Sequence, residues 1–246
     1  MSYLIVGASS GLGRELAFSF AKNKKNLFLI SRDERDLKPI KSDLEERYKI
    51  KVNILSFDFS KIEEIQKKLI DKIVPDHDLE GILFPIGLMF EKDTVDLEKD
   101  EIIKIFNANC LSIIYLISKM TKIFSQKNFL IVGFGSVSGL LGRNLNTNYA
   151  AAKRALESFF ESLAFDNIST NLKVQFYMLG YLNTNLAFGK KLILPKGSIN
   201  KLARLVYKNR NKKNIKIFFP YFWSIIAFII KLIPVKFLIT FKKLFK

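Results

Sequence analysis

Tyr149 and Lys153 stand four residues apart in Tyr149-Ala150-Ala151-Ala152-Lys153, a spacing that puts both side chains on one face of a helix. A free phenol ionises near pH ~10, too high to trade protons at neutrality unaided. A neighbouring ammonium favours the phenolate and lowers that value. The pair is therefore a candidate proton donor and its tuner. Ser136 lies thirteen residues upstream, in Gly135-Ser136-Val137-Ser138-Gly139. Its small neighbours leave room for a substrate, and its hydroxyl can donate a hydrogen bond to a substrate oxygen. Asn146-Thr147-Asn148, just before Tyr149, offers residue types suited to capping the helix.

A second cluster sits at the N-terminus. Gly7-Ala8-Ser9-Ser10-Gly11-Leu12-Gly13 follows the apolar run Tyr3–Val6 and opens a helical pattern. Glycines let a backbone turn sharply and approach a pyrophosphate with no Cβ in the way. The helix start, built from Ser9, Ser10, Gly11, Leu12 and Gly13, then offers unpaired N–H groups and a positive dipole end to phosphate. This predicts a dinucleotide site. The next apolar run ends at Ser31-Arg32, where an acidic residue would favour a ribose 2′-hydroxyl. Serine and arginine instead suit a 2′-phosphate, with Arg14 as a second cation, so NADP(H) is expected over NAD(H).

The elements that must position these residues alternate along the chain. Apolar runs at Tyr3–Val6, Asn26–Ser31, Val52–Phe57, Gly81–Ile86, Asn128–Phe134, Lys173–Met178 and Ile215–Phe219 read as strands. Helical patterns cover Gly11–Lys22, Asp33–Tyr48, Ser60–Ile73, Lys99–Phe124 and Tyr149–Asn167. Runs that are apolar throughout imply burial on both faces. The fold class is therefore α/β, a Rossmann-type doubly wound parallel sheet, over residues 1–219 as one domain. No code for substrate specificity is legible in Asn185–Lys213.

The glycine spacing together with Ser136, Tyr149 and Lys153 resembles the short-chain dehydrogenase/reductase family. The resemblance covers about residues 3–219. It implies that Asn109, in Phe106-Asn107-Ala108-Asn109-Cys110, completes a Ser-Tyr-Lys-Asn tetrad and positions water for proton resupply, with Asn107 as the competing candidate. It implies that Asp58 meets the adenine ring and that Gly87, the last residue of Phe84-Pro85-Ile86-Gly87, supports the cofactor. In Leu179-Gly180-Tyr181-Leu182-Asn183-Thr184, Gly180, Leu182 and Thr184 match a family segment beside the nicotinamide, with leucine where proline is usual. Val6 stands where the family usually has threonine. The implied activity is reduction of a carbonyl, with Ser136 holding the oxygen, Tyr149 protonating it, and Lys153 tuning the phenol and holding the ribose.

Composition narrows the alternatives. Cys110 and His77 are the single cysteine and histidine, too few for a disulfide or a Cys/His zinc site, and no metal is expected. His77, in a polar Pro-Asp-His-Asp turn, reads as a solvated loop residue. The net charge is +17, and Asp166 is the last acidic residue. Sixteen Lys/Arg follow it, leaving 24 basic and 23 acidic side chains in residues 1–166. An anionic partner for the last third follows. A membrane surface fits better than nucleic acid, for which no binding motif is present. Residues 220–246 form an extension. Tyr221–Ile230 is apolar on every face, but about thirteen residues reach roughly 20 Å, short of a ~30 Å bilayer core. Phe237, Leu238, Phe241, Leu244 and Phe245 then make one helical stripe, with lysines on the other faces. A peripheral position on the cytoplasmic face of a membrane is expected, as is a homo-oligomer. The tail run Ile217-Phe218-Phe219-Pro220-Tyr221-Phe222-Trp223, with Leu232-Ile233-Pro234 beyond it, is similar to reductases related to decaprenylphosphoryl-2-keto-ribose reductase. That likeness implies a keto-sugar on a polyprenyl phosphate. The alternatives are a 3-oxoacyl or other hydrophobic carbonyl substrate, or a membrane-docked cofactor sensor without turnover.

Overall fold

Seven parallel strands lie side by side in the order β3-β2-β1-β4-β5-β6-β7. They are β1 (Ser2–Val6), β2 (Asn26–Ser31), β3 (Val52–Ser56), β4 (Leu79–Phe84), β5 (Leu130–Ser136), β6 (Lys173–Leu179) and β7 (Ile215–Phe219). The computed structural model describes residues 2–73, 79–124, 127–142, 144–183, 194–234 and 236–237. His77, Thr184 and the stripe beyond Phe237 lie outside them. From β1 the chain winds outward to β3, then returns to β4 on the other side of β1. That reversal opens a crevice at the carboxyl ends of β1 and β4, where ligands bind in such sheets.

Both faces of the sheet are covered, which is why the strands read as unbroken apolar runs. Leu4 and Val6 of β1 point to one core and Tyr3 and Ile5 to the other, as the period of two requires. Helices α1 (Gly11–Lys22) and α2 (Glu34–Tyr48) cover one face. Their buried stripes include Leu16, Phe20, Leu37 and Leu44. The other face is covered by the long helical run from Lys99 and by α6 (Thr147–Asp166), through Ile105, Ile113, Ile117, Leu156 and Phe160.

Four elements depart from the sequence expectation. The expected helix over Ser60–Ile73 is a 3₁₀ turn (Ile62–Glu64), a π turn (Gln66–Ile70) and a short α3 (Asp71–Ile73). In a π turn residues five apart stack, which lets Ile65 and Ile70 both enter the core. The long helix is α4 (Lys99–Phe106) and α5 (Ser112–Phe124) joined by a π turn at Asn107–Leu111. A further helix, α7 (Ile199–Asn209), falls in a segment to which the sequence reading assigns no element. Its signals were there: Ser198 caps it by accepting from Lys201 N, and Leu202, Ala203 and Val206 form its buried stripe. It packs on α1, where Ser19 Oγ donates to Ala203 O at 3.3 Å.

The fourth departure is the tail. Tyr221–Ile230 forms most of α8 (Phe222–Leu232), and one of its apolar faces is covered. Trp223 and Ala227, one turn apart, are buried against the domain. Ile225, Phe228, Ile229 and Leu232 face outward, Phe228 63% and Leu232 67% exposed. Among the described residues one helical run, Lys99–Thr121, is long and apolar enough to cross a membrane, and half of its most apolar stretch is buried in the core.

Candidate active site

A continuous cavity of about 1560 Å³ follows the carboxyl ends of the strands. Gly7, Ser9, Ser10, Gly11 and Leu12 border one end, with Arg14, Ser31, Arg32 and Asp58 beyond them. Gly87, Ser136, Tyr149, Lys153, Gly180 and Leu182 border the other.

The nucleotide end is shaped by close backbone packing. Gly7 adopts φ +86°, and its N–H donates to Ile30 O at 2.8 Å. A Cβ on Gly13 would fall 2.0 Å from Gly7 O, so only glycine lets α1 start this close to β1. Ser10 is the N-cap of α1 and makes no side-chain cap, and Leu12, buried in the core, borders the cavity beside it. Arg32 is exposed and borders the cavity. Asp33, the carboxylate that could oppose a 2′-phosphate, is committed elsewhere. It caps α2 through Arg35 N at 2.8 Å and pairs with the Arg35 guanidinium, which lowers its pKa to about 2. Ser31 Oγ donates to Asp33 O at 2.8 Å, so it braces this loop. Asp58 Oδ1 accepts from Ser60 N at 2.9 Å and keeps its side chain at the cavity edge. These features fit a dinucleotide: a glycine cradle that a Cβ would fill, a helix N-terminus facing it, and a cation at its far end.

At the other end, Ser136 closes β5, and Tyr149 and Lys153 rise from the first turns of α6. The Ser136 hydroxyl lies where it favours the Tyr149 phenolate. Burial pushes that phenol up to about 12, and Ser136 opposes the rise. The Lys153 ammonium is 5.8 Å from the Tyr149 ring centroid and donates to Ile86 O and Phe134 O, both at 3.1 Å. Burial brings its pKa down to about 8, so the charge expected to favour the phenolate is itself easily lost. The lowering of the phenol pKa expected from Lys153 is absent here, because desolvation dominates the phenol and the ammonium is tied to carbonyls.

Asn109 is fully buried in the π turn. Its Oδ1 accepts from Leu88 N at 3.2 Å, and its Nδ2 donates to Leu88 O at 2.7 Å and Ile105 O at 2.9 Å. One side-chain donor thus pins the loop after Gly87, together with the Oδ1 acceptor, and the other is spent on its own helix at Ile105 O. Asn107 points elsewhere, to Ser60 O at 2.9 Å. Gly180 is where the tail meets the site. A Cβ there would fall 1.9 Å from Trp223 Nε1, and Tyr181 packs edge-on to Trp223 with centroids 5.5 Å apart.

The cap of α6 corrects a sequence expectation. Asn146, the N-cap, is in the left-handed region and makes no side-chain cap. The cap comes from Asp93, fully buried and more than fifty residues upstream. Its Oδ1 accepts from Asn148 N at 2.9 Å and Asn148 Nδ2 at 2.8 Å, and its Oδ2 from Tyr149 N at 2.8 Å. Nothing local to Asp93 in the sequence points to this; the signal would have been a carboxylate in a loop with no helix of its own to cap.

Residues 2–191 match the family model for short chain dehydrogenases. The chain belongs to the short-chain dehydrogenase family. Among similar proteins is a very-long-chain 3-oxoacyl-CoA reductase of Vanderwaltozyma polyspora, 32% identical over 192 residues, covering 74% of this chain and 55% of that protein. The chain therefore spans about half the length of that relative. Another is a hydroxysteroid 11-beta-dehydrogenase 1-like protein B of Xenopus laevis, 28% identical over 233 residues, covering 92% of this chain and 80% of the relative. Among solved structures, a short-chain dehydrogenase from Sphingobium yanoikuyae in complex with NADPH superposes with a TM-score of 0.80 at 20% identity, over 88% of this chain and 87% of that one. As a short-chain dehydrogenase the chain is an oxidoreductase of the nicotinamide-dependent class, and its parallel sheet is that family's fold.

Proposed function

We propose that this short-chain dehydrogenase is an NADPH-dependent reductase of a hydrophobic ketone, of the 3-oxoacyl thioester kind, working from the cytoplasmic side of an anionic membrane. The observation that carries it is the convergence of Ser136, Tyr149 and Lys153 at one end of a cavity whose other end presents Arg32, with Asp33 paired to Arg35. A bound nicotinamide supplies hydride to the carbonyl carbon. Ser136 donates a hydrogen bond to the carbonyl oxygen, and Tyr149 transfers its proton to that oxygen as charge develops. Lys153, held by Ile86 O and Phe134 O, sits where it can hold the nicotinamide ribose. Asn109 keeps the Gly87–Leu88 loop in place under the cofactor. Gly180 and Leu182 border the nicotinamide end, and Thr184 completes that segment. Arg32 pairs with the 2′-phosphate, with Arg14 beside it. A cofactor sensor without turnover needs the glycine cradle but not a serine and a phenol beside a buried lysine in the same cavity.

The substrate class rests on two supports. The names of the Vanderwaltozyma polyspora and Xenopus laevis relatives concern a 3-oxoacyl-CoA and a hydroxysteroid, both hydrophobic compounds, the first a ketone and the second an alcohol. The polyprenyl-phosphate keto-sugar has only the tail resemblance behind it, so the 3-oxoacyl class is preferred. The tail supports the membrane. The outer face of α8 carries Ile225, Phe228, Ile229 and Leu232, and no acidic residue follows Asp166. Apolar burial and attraction of about 1 kcal/mol per cation near an anionic surface act together there. Because α8 abuts Gly180, residues 220–246 would bring the cavity to the lipid. Turnover of 3-oxoacyl-CoA thioesters, hydrophobic ketones and lipid-phosphate keto-sugars, followed by NADPH absorbance, tests the reading. Consumption with the first two classes supports it. No consumption with any ketone, or equal rates in wild type and Tyr149→Phe, overturns it.

A further inference from the structure

Ser136 is held by a second serine whose role no part of the mechanism above uses. Ser138 is buried, 6% exposed, in the 3₁₀ turn Val137–Leu140 that follows β5. Its backbone N–H donates to Ser136 Oγ at 3.2 Å, and its hydroxyl lies 2.8 Å from the same oxygen. A hydroxyl has one hydrogen and two lone pairs. The backbone N–H is a donor without ambiguity and takes one lone pair of Ser136. The Ser138 hydroxyl is the donor of the serine pair and takes the other lone pair, which leaves Ser136 its own hydrogen to give toward Tyr149. Both acceptor sites of Ser136 are then filled from one side, by one residue, away from bulk water.

We propose that Ser138 is a positioning residue that makes Ser136 a one-way hydrogen-bond donor. This deepens the reductase reading and rests on it. With its lone pairs occupied, Ser136 can only give its hydrogen, to the Tyr149 oxygen in the resting site and to the carbonyl oxygen of a substrate. Donation from Ser138 also polarises the Ser136 O–H, which strengthens the bond it gives. The consequence is selectivity for an oxygen that accepts. A ketone oxygen accepts from Ser136 and then from Tyr149. An alcohol must accept from Ser136 and give its own proton to the Tyr149 phenolate, so the proton path has a fixed polarity. Val137 and Gly139, on either side, have no side-chain donor to substitute for it.

Ser138→Ala removes the hydroxyl donor and keeps the backbone one; Ser138→Thr keeps both. Loss of one net hydrogen bond is worth a factor of about five to ten. Ser138→Ala is expected to lower kcat by about that factor with KM changed less than twofold, and Ser138→Thr to restore most of it. In the alcohol-oxidising direction the rising limb of the rate against pH, which reports the phenolate, moves to higher pH in Ser138→Ala and returns in Ser138→Thr. Lys153 and Cys110, the titratable neighbours, and Asp93 at the Tyr149 N–H are unchanged in both variants. An independent readout needs no turnover. In protein carrying tyrosine labelled at Cζ, with the Tyr149 resonance identified by its absence in Tyr149→Phe, that resonance shifts in Ser138→Ala and recovers in Ser138→Thr. Unchanged kcat, limb and resonance in Ser138→Ala overturn the proposal. A shifted resonance in a protein that reduces no ketone leaves the serine pair standing and sinks the reductase reading instead.

Discussion

The two flanks of the cavity are built differently. On the nucleotide flank the shaping contacts are mostly short in sequence: Gly13 lies on Gly7 six residues back, Asp33 caps its own helix through Arg35, and Asp58 braces Ser60. On the substrate flank they are long. Asp93 holds the start of α6, Lys153 reaches back to Ile86 and Phe134, Asn109 to Leu88, and Trp223 covers Gly180. The first flank is a local motif with a backbone reason for each residue. The second is assembled from segments that meet only in the folded sheet, so it can vary while the cofactor end stays the same. Substrate preference belongs to that second flank.

The largest effect is expected where the substrate flank does chemistry. Tyr149→Phe should leave NADPH binding within about twofold and cut ketone reduction by about 10²–10⁴, the usual worth of a positioned acid. Stopped-flow fluorescence for the cofactor and steady-state rates separate the two, and a loss of binding equal to the loss of rate would erase the division between flanks.

On the nucleotide flank, Arg32→Ala should weaken NADPH binding roughly 10- to 100-fold and NADH binding little, since one charge-assisted contact is lost. Equal losses measured by titration calorimetry would show that Arg32 does not read the 2′-phosphate. Asp93→Ala tests the long-range side. It leaves the Asn148 and Tyr149 N–H groups without their acceptor, at a cost of about 1–2 kcal/mol, seen as a fall of a few degrees in Tm. Because α6 carries both Tyr149 and Lys153, kcat should fall more than NADPH affinity; the reverse order would assign Asp93 to the nucleotide flank.

The pH profile follows from two groups. Tyr149 keeps its proton until about 12, so over pH 7–10 it remains an acid. Lys153, brought down to about 8 by burial, loses its charge as pH rises through that value. Reduction should therefore be level below about pH 8 and decline above it, by at most tenfold per unit. A reduction rate that climbs between pH 8 and 10 contradicts the assignment.

The smallest expected effect separates the two faces of α8. Phe228→Ser with Ile229→Ser touches the outer face, so Tm should change within about 0.5 kcal/mol of stability while binding to anionic vesicles falls. High salt should weaken vesicle binding of the intact chain without abolishing it, because apolar burial is not screened. Unchanged binding in the double variant removes α8 from the membrane reading. Removing the whole helix is a poorer test, since Trp223 and Ala227 would be lost from the domain as well.

The sequence by itself determined the sheet and placed the glycine turn and the Tyr149–Lys153 pair, because each is written at short range. A strand buried on both faces must be apolar throughout, a backbone turning onto a phosphate must have glycine, and a phenol and an ammonium sharing a helix face must be four apart. Even the choice between Asn107 and Asn109 was framed there, although only the folded chain sends one to Ser60 and the other to Leu88. The tertiary structure decided what depends on distant partners. It supplied Asp93 as the cap that Asn146 does not provide, and it paired Asp33 with Arg35. It bent the long helix through a π turn at Asn109. It also divided an all-apolar tail into a face spent on Gly180 and β7 and a face left outward. A hydrogen-bond acceptor fifty residues away and the choice of which apolar face finds a partner have no local signature, since both are settled by packing between elements rather than by the preferences of any one of them.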